Sequence, residues 1–189
     1  MRKVIITLCL LLSGFVLQAA NPVKMVQGDP SVFRQEGVAY VIIDDHTTLI
    51  DGKDQPADVY YGNKSEEEYA KFKEDVDRGH ESFITYFNEK RPSEIQMTLS
   101  GSDENANYVL KVYVTSMNVG NAGGMFWGMS RKAGGALING TMQLIDQETG
   151  AVLCEFEFEK VKGLLAPLFQ ARAISVYRYL ADGLLEALK

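Results

Sequence analysis

Apolar positions along the chain fall into two periods, and the switches between them mark out the elements. The segment "VAYVIID", residues 38–44, is rich in β-branched residues and ends in turn formers, which predicts a central strand buried on both faces. After the polar stretch "DDHTTLIDGKDQPADVYYGNK", Ser65 and Glu68 have the spacing of a capping box. There the serine oxygen accepts an orphan backbone N–H, and the glutamate reaches back to the serine's own N–H. A helix is predicted to begin at this point. Tyr69, Phe72, Val76, Phe83, Ile84 and Phe87 then recur at helical spacing as one apolar stripe. Arg91-Pro92 ends the stripe, because a residue before proline is pushed out of helical geometry.

A period of two follows. Ile95, Met97 and Leu99 alternate with Gln96, Thr98 and Ser100, and Tyr108, Leu110, Val112 and Val114 share one face of the next strand. Ile138, Met142 and Leu144 alternate with Asn139, Thr141 and Gln143. In "VLCEFEFE", Val152, Cys154, Phe156 and Phe158 point one way, and Glu155, Glu157 and Glu159 the other. The connection "DQETG", with Gly150 available for positive φ, predicts a bulged hairpin and antiparallel pairing. From about Leu168 to Leu188, Ala173, Val176, Tyr177, Leu180, Leu184 and Leu188 return to helical spacing.

These elements predict one α+β domain over residues 37–189: a two-layer sandwich, with a mostly antiparallel sheet of about five strands and two amphipathic helices on one face. Residues 21–36 are polar, contain Pro22, Gly28 and Pro30, and follow neither period, so they are expected to form a flexible tether.

The first residues place the domain in a compartment. Arg2 and Lys3 precede an apolar run from Val4 to Val16, and small residues stand at Ala19 and Ala20. That is the plan of a signal peptide over residues 1–20, and the run is short for a bilayer-spanning helix. Cys9 follows Ile6-Thr7-Leu8, with leucine where a lipidation site needs a small residue, so lipidation at Cys9 is rejected. The expected location is periplasmic or extracellular, in a bacterial host.

Without Arg2 and Lys3, 17 of the 19 basic residues remain to face 25 acidic ones, a net charge of −8. No basic stripe is present to release counterions from a phosphate backbone, which argues against nucleic acid as the partner. Only Cys154 survives removal of the leader, so neither an internal disulfide nor a cysteine metal cluster can form.

The richest candidate for function is "GNAGGMFWGMSRKAGG", residues 120–135, which sets Met125, Phe126, Trp127 and Met129 among glycines, just ahead of Arg131 and Lys132. It has neither the G-x-G-x-x-G nor the Walker spacing, since Met129 stands where the Walker lysine belongs. Three readings remain. The apolar side chains pack on their own domain, dock an envelope protein, or dip into a membrane surface with Trp127 at the headgroups and Arg131 and Lys132 on anionic lipid.

The second candidate is the acidic loop with Asp44, Asp45, His46, Asp51 and Asp54. It fails the calcium-loop test, because counting back from Gly52 puts Thr47 and Leu49 at ligand positions. A carboxylate–histidine metal site on Asp44, Asp45 and His46 is the alternative to a plain solvated loop. His80 lies on the apolar stripe of the first helix and is expected to be a hydrogen-bonded core or rim residue. Cys154 is expected to be buried, protonated and inert. No nucleophile elbow occurs, and the sequence calls for no cofactor.

The succession "NYVLKVYV", a glycine-rich loop, "ALINGTMQLIDQETGAVL" and a closing amphipathic helix resembles small bacterial periplasmic and envelope domains with a fold like the amino-terminal domain of the Tol-Pal translocation protein, together with related uncharacterised lipoproteins. The resemblance spans about Val38 to Leu188. It implies a non-catalytic module that binds or scaffolds a partner, and it supplies no catalytic residue to carry over. The expected function is therefore a secreted or periplasmic binding or scaffolding protein of the cell envelope. The alternatives are a small metal-dependent or hydrolytic enzyme using the Asp44–His46 loop, and a carrier of a small apolar ligand or lipid held between helices and sheet.

Overall fold

The computed structural model describes residues 21–45, 47–51, 53, 55–120 and 134–189. In chain order these form β1 (Val23–Gly28), a 3-10 turn (Pro30–Arg34), β2 (Gly37–Asp44), β3 (Leu49–Ile50), α1 (Ala57–Gly62), α2 (Glu66–Lys90), β4 (Met97–Ser100), β5 (Tyr108–Asn118), β6 (Leu137–Asp146), β7 (Val152–Lys162) and α3 (Phe169–Ala187). The class is α+β. Among the described residues the sheet has seven strands, in the order β1-β7-β6-β5-β2-β4, with β3 alongside β5.

The sheet is mixed, and larger than the five mostly antiparallel strands expected. Strand β2 runs parallel to both β4 and β5, and β3 runs parallel to β5, while β1–β7, β5–β6 and β6–β7 are antiparallel. The parallel part follows from the connections. Two helices carry the chain from β2 to β4, and the 101–107 segment then passes β2 to begin β5 on its other side. Alternation of side chains reports a strand's faces but not its direction.

One face of the sheet makes the core. Ala39, Val41, Leu110, Val112, Ile138, Met142, Cys154 and Phe156 are buried on it, while the alternate positions Lys111, Tyr113, Thr141 and Gln143 are only half-buried. Ile42 is 37% exposed, so β2 is buried on one face rather than both. Helices α2 and α3 pack together, and the helix residues Phe83, Phe87, Val176, Tyr177, Leu180 and Leu184 are fully buried. Each such side chain contributes roughly 1.5 to 3 kcal/mol.

Helix α2 begins as its sequence requires, with Ser65 Oγ accepting from the Glu68 N–H at 3.0 Å, and it ends at Arg91. The two long helices approach closely at Gly79, where a Cβ would stand 2.4 Å from Cδ2 of the buried Tyr177 ring. The β6–β7 turn closes with Gly150 at φ 70°, and Asp146 Oδ1 accepts from both the N–H and the hydroxyl of Thr149 at 2.7 Å.

Residues 21–36, expected as a tether, are part of the fold. Strand β1 pairs antiparallel with β7, Val23 and Phe33 are buried, and Phe33 meets Phe156 edge-on with ring centroids 6.2 Å apart. One buried residue on an otherwise exposed strand and one in the turn after it generate no period, which is why the pattern does not reveal them. The opposite edge of the sheet is covered differently. The Asn88 side-chain amide of α2 accepts from the Leu99 N–H at 2.9 Å and donates to the Leu99 carbonyl at 2.8 Å, taking both backbone groups of that β4 residue.

Candidate functional site

Among the described residues, the two most exposed large apolar side chains, Leu164 and Leu168, lie at the end of the sheet where β5 stops, β6 starts and β7 hands over to α3. Met125, Phe126, Trp127, Met129, Arg131 and Lys132 lie outside the described residues, but the chain leaves this end at Gly120 and returns to it at Gly134. Beside that point runs the connector from Gly163 to Leu168, on which Leu164, Leu165 and Leu168 are 58%, 47% and 66% exposed.

The connector's backbone is tied down along its length. The Gly163 N–H donates to the Ala136 carbonyl at 2.7 Å, and the Leu164 N–H donates to Ser175 Oγ at 2.8 Å. Gly135 must be glycine, since a Cβ there would fall 1.9 Å from the Gly163 carbonyl oxygen. Arg172, in the first turn of α3 and only 6% exposed, completes the clamp. Its Nε donates to the Val119 carbonyl at 2.8 Å, and its Nη1 donates to the carbonyls of Ala166 at 2.6 Å and Pro167 at 3.1 Å. Burial lowers the guanidinium pKa from its ordinary value, against the opposing influence of Tyr61 and Asp51. An arginine keeps its proton under such conditions, so a buried cation binds the 119 and 166–167 backbones together.

Of the leucines in "GLLAPL", Leu168 stands only at the start of the closing helix predicted from the sequence, and Leu164 and Leu165 belong to no predicted element. The signal for those two is their place between Gly163 and Pro167, which break both periods, so they join no amphipathic stripe.

Beside the connector, a groove of 670 Å³ runs between the first half of α2 and the start of α3, lined by Glu67, Lys71, Glu74, Asp75, Leu168 and Phe169 among others. Asp75 is 7% exposed. With the Gln170 amide oriented so that its oxygen accepts from Arg78 Nε and Nη1 at 3.1 Å each, its nitrogen donates to the Asp75 carboxylate. Burial raises the Asp75 pKa, while Lys71 acts in the opposite direction. Behind the groove Tyr61, Phe72 and Phe169 stack in series, at centroid distances of 4.3 and 5.6 Å.

The acidic loop disperses its residues. Asp44 ends β2 opposite Tyr113, and His46 and Asp54 lie outside the described residues. Asp51 lies further along β5, just past its last residue, where its Oδ1 accepts from the Val119 N–H at 2.9 Å. Asp45 reaches a second titratable cluster. Its Oδ2 is 3.9 Å from His80 Nε2, which also lies 3.2 Å from the Tyr177 hydroxyl, and Asp77 Oδ1 is 3.9 Å from His80 Nδ1. Burial lowers the His80 pKa despite the two carboxylates, and burial raises that of Tyr177. A neutral imidazole accepting from the tyrosine hydroxyl satisfies both groups. Among the described residues no three His, Cys, Asp or Glu side chains come together as a set able to hold a metal ion. Cys154 is buried beside the Asp29 carbonyl, and burial pushes its thiol pKa up.

No family model matches the sequence, and no curated protein matches it. Among solved structures the chain is similar to a PelC dodecamer from Paraburkholderia phytofirmans in space group P6, with a TM-score of 0.44 and 14% identity over 84% of this chain and 96% of that one. A second PelC dodecamer from the same organism, a variant in space group C2, gives a TM-score of 0.40 and 14% identity over 85% of this chain and 97% of that one. Likeness of this degree leaves the function to be argued from the chain's own residues. Among the described residues, no helix is long and apolar enough to cross a membrane.

Proposed function

We propose that this chain is an exported, non-catalytic component of the bacterial cell envelope that binds or scaffolds a partner protein through the connector end of its sheet. The observation that carries the reading is the display of Leu164, Leu165 and Leu168 on a backbone clamped by Arg172, Ser175 and Ala136. Leucines left in water cost a monomer free energy, and a contiguous exposed apolar patch is a mark of an interaction site. A pinned backbone also reduces the ordering entropy that docking would otherwise cost. Export rests on the leader at residues 1–20, and the envelope role also on the resemblance to periplasmic domains. The 121–133 segment, with Phe126 and Trp127, springs from the same end and belongs to the proposed contact.

The test is co-purification from envelope extract with the wild type and with the Leu164→Ser, Leu165→Ser, Leu168→Ser triple variant. The variant is expected to keep its melting temperature within a few degrees and to lose its specific partner, as does the Phe126→Ser, Trp127→Ser variant. A large fall in melting temperature with unchanged capture would mean that these side chains serve the fold instead.

The enzymatic alternative has one supporting observation, the approach of Asp45 to His80, and zinc or calcium titration followed by tryptophan emission and melting tests it. The carrier alternative requires a ligand between helices and sheet, in the layer that Phe83, Phe87, Phe156 and Tyr177 fill.

A further inference from the structure

We infer that the groove between α2 and α3 receives a partner segment in which a lysine or arginine is flanked by apolar side chains, the cation directed at Asp75 and the apolar groups at Leu168 and Phe169. The inference rests on the proposed contact surface, since Leu168 belongs to both, and it names the chemistry of the partner.

The groove's two walls differ in kind. The α3 side offers Leu168, 66% exposed, and the Phe169 ring, backed by Phe72 and Tyr61. The α2 side offers Glu67, Glu74 and Asp75 against Lys71. Glu74 is matched within its own helix, 2.7 Å from Arg78 Nη2. Asp75 is not: among the described residues no cation stands within ion-pair distance of it, Lys71 and Arg78 favour its charge only from farther away, and the neutral Gln170 amide serves it. Arg78, which stands nearby, is itself directed at Glu74 and Gln170. A mostly buried carboxylate on the lining of a groove therefore makes no direct ion pair among the described residues, and its burial holds the carboxyl pKa above the ordinary value. A cation entering the groove supplies that direct partner, and the apolar wall shields the pair from water, which strengthens the attraction between the charges. An anionic segment meets Glu67, Glu74 and Asp75 and is repelled.

The experiment uses the purified protein and a defined probe, acetyl-Ala-Leu-Arg-Leu-Ala-amide, followed by amide chemical shifts. Shifts are expected at Lys71, Asp75, Phe169 and Gln170, with affinity falling about ten-fold when citrulline replaces the arginine or when Asp75 is changed to Asn. Because Asp75 is mostly buried, a second variant at the exposed rim, Glu67→Lys, is included and is expected to weaken binding about three-fold with the fold unchanged. Equal binding of the arginine and citrulline peptides, shifts confined to other surfaces, or no shifts at all would each overturn the inference. The two readings fail separately. Loss of envelope capture in the leucine variants, with no charge dependence in the peptide, keeps the contact surface and removes the cationic partner. Charge-dependent peptide binding with capture unaffected by the leucine changes keeps the groove and removes the proposed function.

Discussion

Helix α3 is fastened to the rest of the molecule at two polar points of opposite kind. In its first turn Arg172 gives its protons to three main-chain carbonyls, from two connections that are far apart in sequence. Further along, Tyr177 presents a neutral hydroxyl to a neutral imidazole on α2, against the glycine that lets the helices approach. The first fastening is a permanent charge that shapes backbone at the surface. The second is an uncharged pair that shapes the core and depends on one proton. A clamp of the first kind holds an exposed connector in place at any ordinary pH, whereas the second reports on the solution around it.

Removing the clamp should have the largest effect. Arg172→Ala leaves three carbonyls without their donor and is expected to cost about 2 to 4 kcal/mol in urea unfolding. Amide exchange at residues 164–168 should rise with it, and Arg172→Lys, which cannot span both connections, should recover less than half. Unchanged exchange at 164–168 would show that the connector does not need the clamp. Next comes the helix seam: Gly79→Ala drives a methyl into the Tyr177 ring and should cost about 1 to 3 kcal/mol, with exchange at the connector unaltered. Tyr177→Phe keeps the ring and loses only the hydroxyl bond, so about 1 kcal/mol is expected.

The gentlest probe of the contrast is pH. The His80 pKa is lowered in the folded state, chiefly by burial and against the pull of Asp45 and Asp77, so the native protein favours the neutral ring. Above the ordinary histidine value of about 6.5 the ring is neutral in both states, and this group's contribution to stability is fully present. As pH falls below that value the unfolded chain takes up the proton first. Stability is then lost progressively until the native pKa is passed. The difference between wild type and His80→Gln across this range isolates the effect, and Arg172→Ala should show the same slope as wild type. Parallel profiles for wild type and His80→Gln would remove the histidine from the account.

The long amphipathic elements were legible because each carries its own signal. Ser65 and Arg91-Pro92 marked both ends of α2, the alternation in "VLCEFEFE" gave the buried face of β7, and Gly150 gave its hairpin. Elements that depend on a partner left none. Strands β1 and β3 and helix α1 are short, and β1 has one buried residue in six, so only pairing with β7 defines it. The direction of β2 relative to β4 and β5 is set by the chain connections, which side-chain alternation does not encode. At the candidate site, the sequence draws attention to Met125, Phe126, Trp127 and Met129, which lie outside the described residues, whereas the exposure of the pinned leucines has no signal in it. Exposure of Leu164, Leu165 and Leu168 is a property of the packed neighbours, Arg172 above all, and those neighbours lie outside any local window. Asp45 and Asp51, from one acidic loop, reach different partners, His80 and the Val119 backbone.

The Asn88 amide has a consequence for assembly. A sheet that can lengthen at both borders is able to polymerise without limit, each copy offering a fresh template to the next. Here the Leu99 backbone on the β4 border is already taken by a side chain from the molecule's own helix, so a strand from another copy finds no free partner at that residue.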